Sequence, residues 1–305
     1  MREMILRTSQ LTKRYARFTA LDGADITVRK GDICGLIGKN GAGKTTMMKL
    51  ITGLTEPTDG GYELFGKKGA AAEAERNRIG SLIEEPAFFG NLTAYQNLRY
   101  YCALKGIADL GQIQKVLQYV NLQDAANKKF KTFSLGMKQR LGVAFALLDN
   151  PDLVVLDEPI NGLDPIGISE LRDVLRRMNQ EHEITMIISS HILSELYAVA
   201  NKFIFIDHGK ILRELTKEEL DLECSRCIVL KTDDAKRAAA ILEQKTGISD
   251  YTVTDSREIR IYDLSTGSCE INRQMVEEQI AVHEIYESGV SLEDYFKQLV
   301  GEESK

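Results

Sequence analysis

The run Gly38-Lys39-Asn40-Gly41-Ala42-Gly43-Lys44-Thr45 has the composition of a phosphate cradle. Its glycines let consecutive amides turn inward without Cβ clashes. Its last two residues add a mobile ammonium and a hydroxyl, groups suited to β- and γ-phosphates and to Mg²⁺ respectively. The spacing satisfies G-x-x-x-x-G-K-[ST] at every position, so Gly38 through Thr46 are candidate nucleotide-phosphate ligands. A second constellation lies at Leu153-Val154-Val155-Leu156-Asp157-Glu158. An apolar run that ends in two carboxylates gains nothing from burial alone. Asp157 is placed to hold Mg²⁺, directly or through water, and Glu158 to polarise an attacking water as general base.

These groups need elements to position them. Ile33–Ile37 reads as a strand that breaks at Gly38, and Lys44–Thr52 has helical spacing, so the loop sits between strand and helix, where an anion meets the helix dipole. Leu153–Leu156 and Thr185–Ser189 are short all-apolar or mostly apolar runs, as strands buried on both faces should be. Apolar residues at Ile168, Leu171, Val174, Leu175 and Met178 mark an amphipathic helix. Thr93 and Gln96 form a capping box before another helix; Ile113–Val120 reads as a third. His208-Gly209 is expected to turn a hairpin between Phe203–Asp207 and Lys210–Leu212. Beyond Leu215 the expected order is β-α-β-β-α-β, a small ferredoxin-like unit.

With these motifs in order, the sequence resembles the ATP-binding-cassette ATPases. Phe133-Ser134-Leu135-Gly136-Met137-Lys138-Gln139-Arg140-Leu141 resembles the family's signature segment, Ile160-Asn161-Gly162-Leu163-Asp164-Pro165 the loop after the catalytic carboxylate, and Ser189-Ser190-His191 the switch-histidine segment. The likeness covers roughly Leu6 to Leu212. It implies an α/β fold of the P-loop NTPase cassette type: a mixed core sheet with flanking helices, an antiparallel β part and an inserted helical subdomain. A small α+β domain would follow. It further implies that Tyr15 stacks on adenine, that Lys44 and Thr45 take phosphates and Mg²⁺, that Glu158 is the general base, and that His191 contacts the γ-phosphate. Ser134 and the Gly136 amide would bind the γ-phosphate of ATP held by an opposite cassette, with Asp164 communicating between the two sites.

Four positions depart from the commonest family form: Leu135, Met137, Lys39 and Glu84, the last standing where Gln is usual next to metal and water. Glu can still accept from metal-bound water but loses a donor. These departures, with the Glu84-Glu85-Pro86 run, resemble the branch that handles bacitracin and lantibiotic-type peptides. The implied partners are a second cassette, as a homodimer or a pair with another cassette protein, and a separate integral membrane permease. The resemblance places the chain in the cytoplasm, peripheral on the inner face of the cell membrane.

Composition agrees. The 305 residues carry 43% hydrophobic and 28% charged side chains and a net charge of -6, which argues against nucleic acid as partner. The charge is uneven, about +3 before Leu215 and -9 after it, so two units are expected: a cassette over 1–214, with a helical subdomain at about 86–150, and an acidic domain over 215–305. No run approaches the roughly 18 apolar residues that span a bilayer, and no apolar leader core follows Arg2 and Glu3. Five scattered cysteines point to free thiols, and Cys224-Ser-Arg-Cys227 lacks the second pair a metal site would need. Two further readings are weighed: a cassette ATPase acting on DNA or ribosomes, disfavoured by the absence of a coiled-coil insertion and of a second cassette, and a cassette that binds ATP only to signal, disfavoured by Glu158 and His191.

Overall fold

The computed structural model describes residues 2–84 and 87–302, so Glu85 and Pro86 of the acidic run lie outside the described residues. The chain divides into two compact units, 1–217 and 218–305.

The first unit opens with β1 (Met4–Tyr15), β2 (Phe18–Ala24) and β3 (Thr27–Arg29), then β4 (Ile33–Ile37) and α1 (Lys44–Ile51). After these come β5 (Asp59–Leu64), β6 (Lys67–Lys68), α2 (Ala70–Ala74) and β7 (Ile79–Leu82). Three helices succeed one another, α3 (Ala94–Lys105), α4 (Gly111–Tyr119) and α5 (Leu135–Ala146). The unit closes with β8 (Leu153–Leu156), α6 (Pro165–His182), β9 (Thr185–Ser190), α7 (Leu193–Tyr197), β10 (Lys202–Asp207) and β11 (Lys210–Thr216). The α/β reading of the sequence holds.

Two sheets share the work. One is antiparallel, with order β2-β1-β5-β6 and β3 also on β1. The other is mixed, β11-β10-β4-β9-β8-β7, parallel from β10 through β7 and antiparallel only at the β10–β11 hairpin. Every residue of β4, β8 and β9 is buried, as expected of parallel strands covered on both faces. Because β4, β8 and β9 run in parallel, their carboxyl ends lie along one edge, and the loops that leave that edge carry Gly38–Gly43, Asp157–Glu158 and His191.

The three-helix segment between β7 and β8 starts where Thr93 and Gln96 close a reciprocal capping box, with Leu98 and Cys102 fully buried on one face. Asn97, also fully buried, holds the incoming chain. Its Oδ1 accepts the Phe89 amide at 2.8 Å, while its Nδ2 donates to the Phe89 carbonyl at 3.1 Å and the Thr93 carbonyl at 3.0 Å.

The second unit opens with α8 (Lys217–Cys224) and runs β12 (Cys227–Thr232), α9 (Ala235–Ile241), β13 (Tyr251–Val253), β14 (Glu258–Ile261), α10 (Ser268–Glu277), β15 (Val282–Ser288) and α11 (Leu292–Glu302). Its sheet order is β13-β14-β12-β15, antiparallel throughout, with Ile228, Leu230, Ile259 and Ile261 packed on Ala238, Leu242, Ile271 and Met275. α9 widens after Ile241 into a π turn that runs to Thr246. Of the five thiols, Cys34, Cys102 and Cys227 are buried, Cys224 is half-buried and Cys269 exposed. Burial, with Glu223 and Asp221 nearby, pushes the Cys224 thiol up to about 11, and burial raises Cys227 as well.

Asn97→Leu removes the partner of the part-buried Phe89 amide, so a loss of about 1 kcal/mol is expected, read as a lower urea midpoint for unfolding.

Candidate active site

The phosphate loop owes its shape to two close approaches. A Cβ at Gly38 would meet the Ile206 carbonyl at 2.4 Å, and one at Gly43 would meet the Ala20 carbonyl at 2.7 Å. Gly43 is also left-handed, at φ 112, and it is the N-cap of α1 without a side-chain cap. The first-turn amides of that helix therefore have no side-chain acceptor and form a ready anion site.

Gly41, at φ +83, has nothing within 4 Å of an added Cβ, so the loop faces open space. That space is a cleft of about 400 Å³ lined by Phe18, Ala20, Lys39, Asn40, Gly41, Ala42, Gly43, Lys44, Thr45, Thr46, Glu158 and Asn161. The donors, the open glycine and the lysine fit a nucleotide's phosphates.

Lys44 is 5% exposed. Its ammonium donates to the Gly38 carbonyl at 2.7 Å and the Lys39 carbonyl at 3.2 Å, and it pairs with Glu158 Oε1 at 3.1 Å. The other Glu158 oxygen, Oε2, lies 2.6 Å from His191 Nδ1. One carboxylate thus bridges a lysine and a histidine on the cleft's rim. Beside it, the Thr45 hydroxyl donates to Asp157 Oδ2 at 2.7 Å; a hydroxyl and a carboxylate are hard oxygen ligands of the kind Mg²⁺ takes.

Other candidates lie apart from this cluster. Ser134 N-caps α5, its hydroxyl accepting the Met137 amide at 3.3 Å. Asp164 N-caps α6, Oδ1 accepting the Gly167 amide at 2.9 Å. A Cβ at Gly136 would touch Leu163 and Gly167, so the signature segment packs near the start of α6. Ser134, Gly136 and Asp164 are absent from the cleft lining.

Tyr15, 46% exposed, ends β1 with the Lys13 ammonium 5.1 Å from its ring centre. Glu84 is brought to Lys49, not to Thr45 or Asp157: the two side chains meet at 2.6 Å, with Glu84 66% exposed. The hydrogen bond to Glu84 raises the Lys49 pKa. Residue spacing cannot reveal this pair, because Lys49 lies on α1 and Glu84 just past β7.

Three lining residues, Phe18, Ala20 and Asn161, were not among the site residues expected from the sequence, although Asn161 stands in the loop after Glu158. Phe18, 62% exposed, and Ala20 reach the cleft because β2 pairs with β1 at Tyr15↔Phe18. The only sequence-level hint was an aromatic three residues after Tyr15.

Comparison with known proteins gives this geometry a family. A model of the family described as ABC transporter matches residues 21–161. The bacitracin transport ATP-binding protein BcrA of Enterococcus faecalis is 42% identical over 300 residues, spanning 98% of this chain and 97% of that protein. The chain belongs to the ABC transporter family.

The lantibiotic transport ATP-binding protein SrtF of Streptococcus pyogenes is 42% identical over 210 residues, 69% of this chain and 90% of that one. A solved ABC transporter cassette in its ADP conformation superimposes with a TM-score of 0.64 at 27% identity, covering 71% of this chain and 92% of that chain. A dimeric cassette bound to ADP and phosphate in a post-hydrolysis state shares the fold, at TM-score 0.61 and 23% identity, over 70% of this chain and 99% of that chain. This ABC protein is the ATP-hydrolysing, nucleotide-binding subunit of a transporter. Among the described residues, no helix is long and apolar enough to cross a membrane.

Gly43→Ala combines left-handed strain with a backbone clash. Strain of about 1–3 kcal/mol corresponds to a loss of affinity of about 5- to 150-fold, measurable by titration with a fluorescent ATP analogue.

Proposed function

We propose that this ABC ATPase hydrolyses Mg²⁺-ATP at the cleft beside α1, with Glu158 as general base, and that two cassettes act together on a membrane permease that moves antimicrobial peptides. The bridging of Glu158 between Lys44 and His191 carries the assignment. When bound, Mg²⁺ would neutralise phosphate charge and orient the γ-phosphate. Thr45 and Asp157 are the residues to hold it. Lys44 fits the β- and γ-phosphates, which would take over its contact with Glu158 and free that carboxylate to accept a proton from water. His191, beside Glu158, would contact the γ-phosphate and orient the base. Tyr15 and Phe18 flank the mouth where adenine would stack. Glu84 can approach the cation only by exchanging its Lys49 partner.

Two cassettes are inferred because Ser134 and Gly136 do not line their own chain's cleft; a nucleotide on a second cassette gives their hydroxyl and amide a ligand. A homodimer supplies that second copy, with Asp164 between the sites. The permease contact is assigned to the aromatic segment before and along α3. Phe89, Tyr100 and Leu104 are exposed there, and Phe89 and Tyr100 pack edge to face at 5.0 Å, a rigid amphipathic surface of the kind interfaces use. That contact would hold the chain on the inner face of the cell membrane. The substrate class rests on the full-length likeness to the bacitracin transport protein and the likeness of the first unit to the lantibiotic one.

Glu158→Gln should cut turnover at least about a hundredfold while nucleotide binding persists and ATP drives a stable dimer, seen by size-exclusion chromatography with light scattering. Residual hydrolysis near the unmodified rate would exclude Glu158 as base. Affinity capture of the tagged chain from detergent-solubilised host membranes should bring down a multi-spanning membrane protein at matching abundance. Recovery with ribosomes, nucleic acid or no partner would end the transporter assignment and leave the ATPase standing.

A further inference from the structure

Ser189 lies one step beyond the paired ends of two strands. In the parallel β8–β9 ladder Leu156 is paired with Ile188, so the next residue on each strand, Asp157 and Ser189, face one another at the sheet's carboxyl edge. The Ser189 side chain is buried, at 1% exposure. Its hydroxyl donates to Asp157 Oδ1 at 2.5 Å and accepts the Glu158 amide at 2.8 Å.

That single oxygen is therefore fixed in direction. Its one proton is committed to Asp157, whose other oxygen is held by Thr45 at 2.7 Å, so the lone pairs of Ser189 can only point at Glu158 N. The donating peptide is unusual. Glu158 sits at φ 48, a left-handed conformation that a residue with a Cβ adopts only when its surroundings impose it. The neighbouring Asp157 amide is already tied to the Leu82 carbonyl at 2.8 Å. Between those two amides the backbone is pinned on both sides, and the Glu158 side chain leaves it toward Lys44 and His191. A relaxed, right-handed Glu158 would send its carboxylate elsewhere.

We infer that Ser189 is a positioning residue for hydrolysis: its hydroxyl, locked by Asp157, holds the Glu158 peptide in the left-handed region and so aims the base at the cleft. This rests on the reading of Glu158 as general base. Ser189 acts through Asp157 and the Glu158 amide and is not among the residues that line the cleft. A hydroxyl is what the site requires, since Val has the shape of Thr but can neither donate to Asp157 nor accept from Glu158 N.

The test uses the full-length chain with Ser189→Val, Ser189→Ala and Ser189→Thr, compared for kcat, for KM of ATP and for the Kd of a fluorescent ATP analogue measured without turnover. The expected result is a drop in kcat of about 10- to 100-fold in the Val and Ala variants, with KM and Kd changed by less than about threefold, the pattern of an interaction that serves the chemical step. Ser189→Thr should stay within about threefold of the unmodified kcat.

Adding Ser189→Val to Glu158→Gln should lower the residual rate by less than about threefold, because residues acting as one unit are not additive. The inference is overturned if Val and Ala both keep the unmodified kcat, or if Kd weakens as much as kcat falls. It is also overturned if Thr is no better than Val, or if the double variant loses the full product of the two single effects. If Val does not fold, Ala against Thr decides. Near-normal hydrolysis by Glu158→Gln alone would instead remove the base assignment, an outcome readable without any Ser189 variant.

Discussion

A lysine ammonium kept almost out of water is the constraint around which the first unit is arranged. Burying an unpaired charge costs several kcal/mol, so Lys44 must be surrounded by acceptors, and it is: two loop carbonyls and the Glu158 carboxylate. The carbonyls are available only because Gly38 and Gly43 let the backbone pass within contact distance of Ile206 and Ala20. Those two residues belong to β10 and β2, one from each sheet, so the lysine's environment needs both sheets in place. The carboxylate is available only because β8 delivers Glu158 to the same edge as β4. Parallel strand order, glycine placement and the position of one acidic residue are thus requirements of a single cation.

The same edge explains why the chemistry is spread over distant parts of the chain. Thr45, Asp157, Ser189 and His191 are separated by up to 146 positions in sequence, yet they end three neighbouring elements or the loops that leave them. Donors and acceptors that converge from several directions on rigid supports are what phosphoryl transfer asks for. Ser190 adds to the rigidity: its hydroxyl donates to Glu195 at 2.9 Å and accepts the Ile192 amide at 3.0 Å, fixing the turn that carries His191.

What could be read from the sequence followed the range of the interactions. The Thr93–Gln96 cap, the Lys44 helix, the all-apolar strands and the His208-Gly209 hairpin are specified within a few residues, and each stands at or near its expected place. The phosphate loop was legible for the same reason. The long strand β1 and its partner β5 were not, because their pairing joins residues far apart in the chain, from Thr12↔Asp59 to Leu6↔Leu64. At the site, Asp157 and Glu158 could be seen from composition, but the hydroxyl between them could not, since only strand register brings Ser189 there. Glu84 shows the converse. Its side chain meets Lys49, a neighbour that neither its motif nor its spacing discloses.

The distribution of thiols has a practical side. Three of the five cysteines are packed in cores and a fourth is half-covered, with its thiol held up near 11 and so scarcely ionised at neutral pH. Since the thiolate is the species that attacks an electrophile, a maleimide dye offered to the folded chain meets one accessible sulfur, that of Cys269 at the start of α10. The acidic unit thus carries a native attachment point, and a fluorophore or spin label can report on the protein without an engineered cysteine.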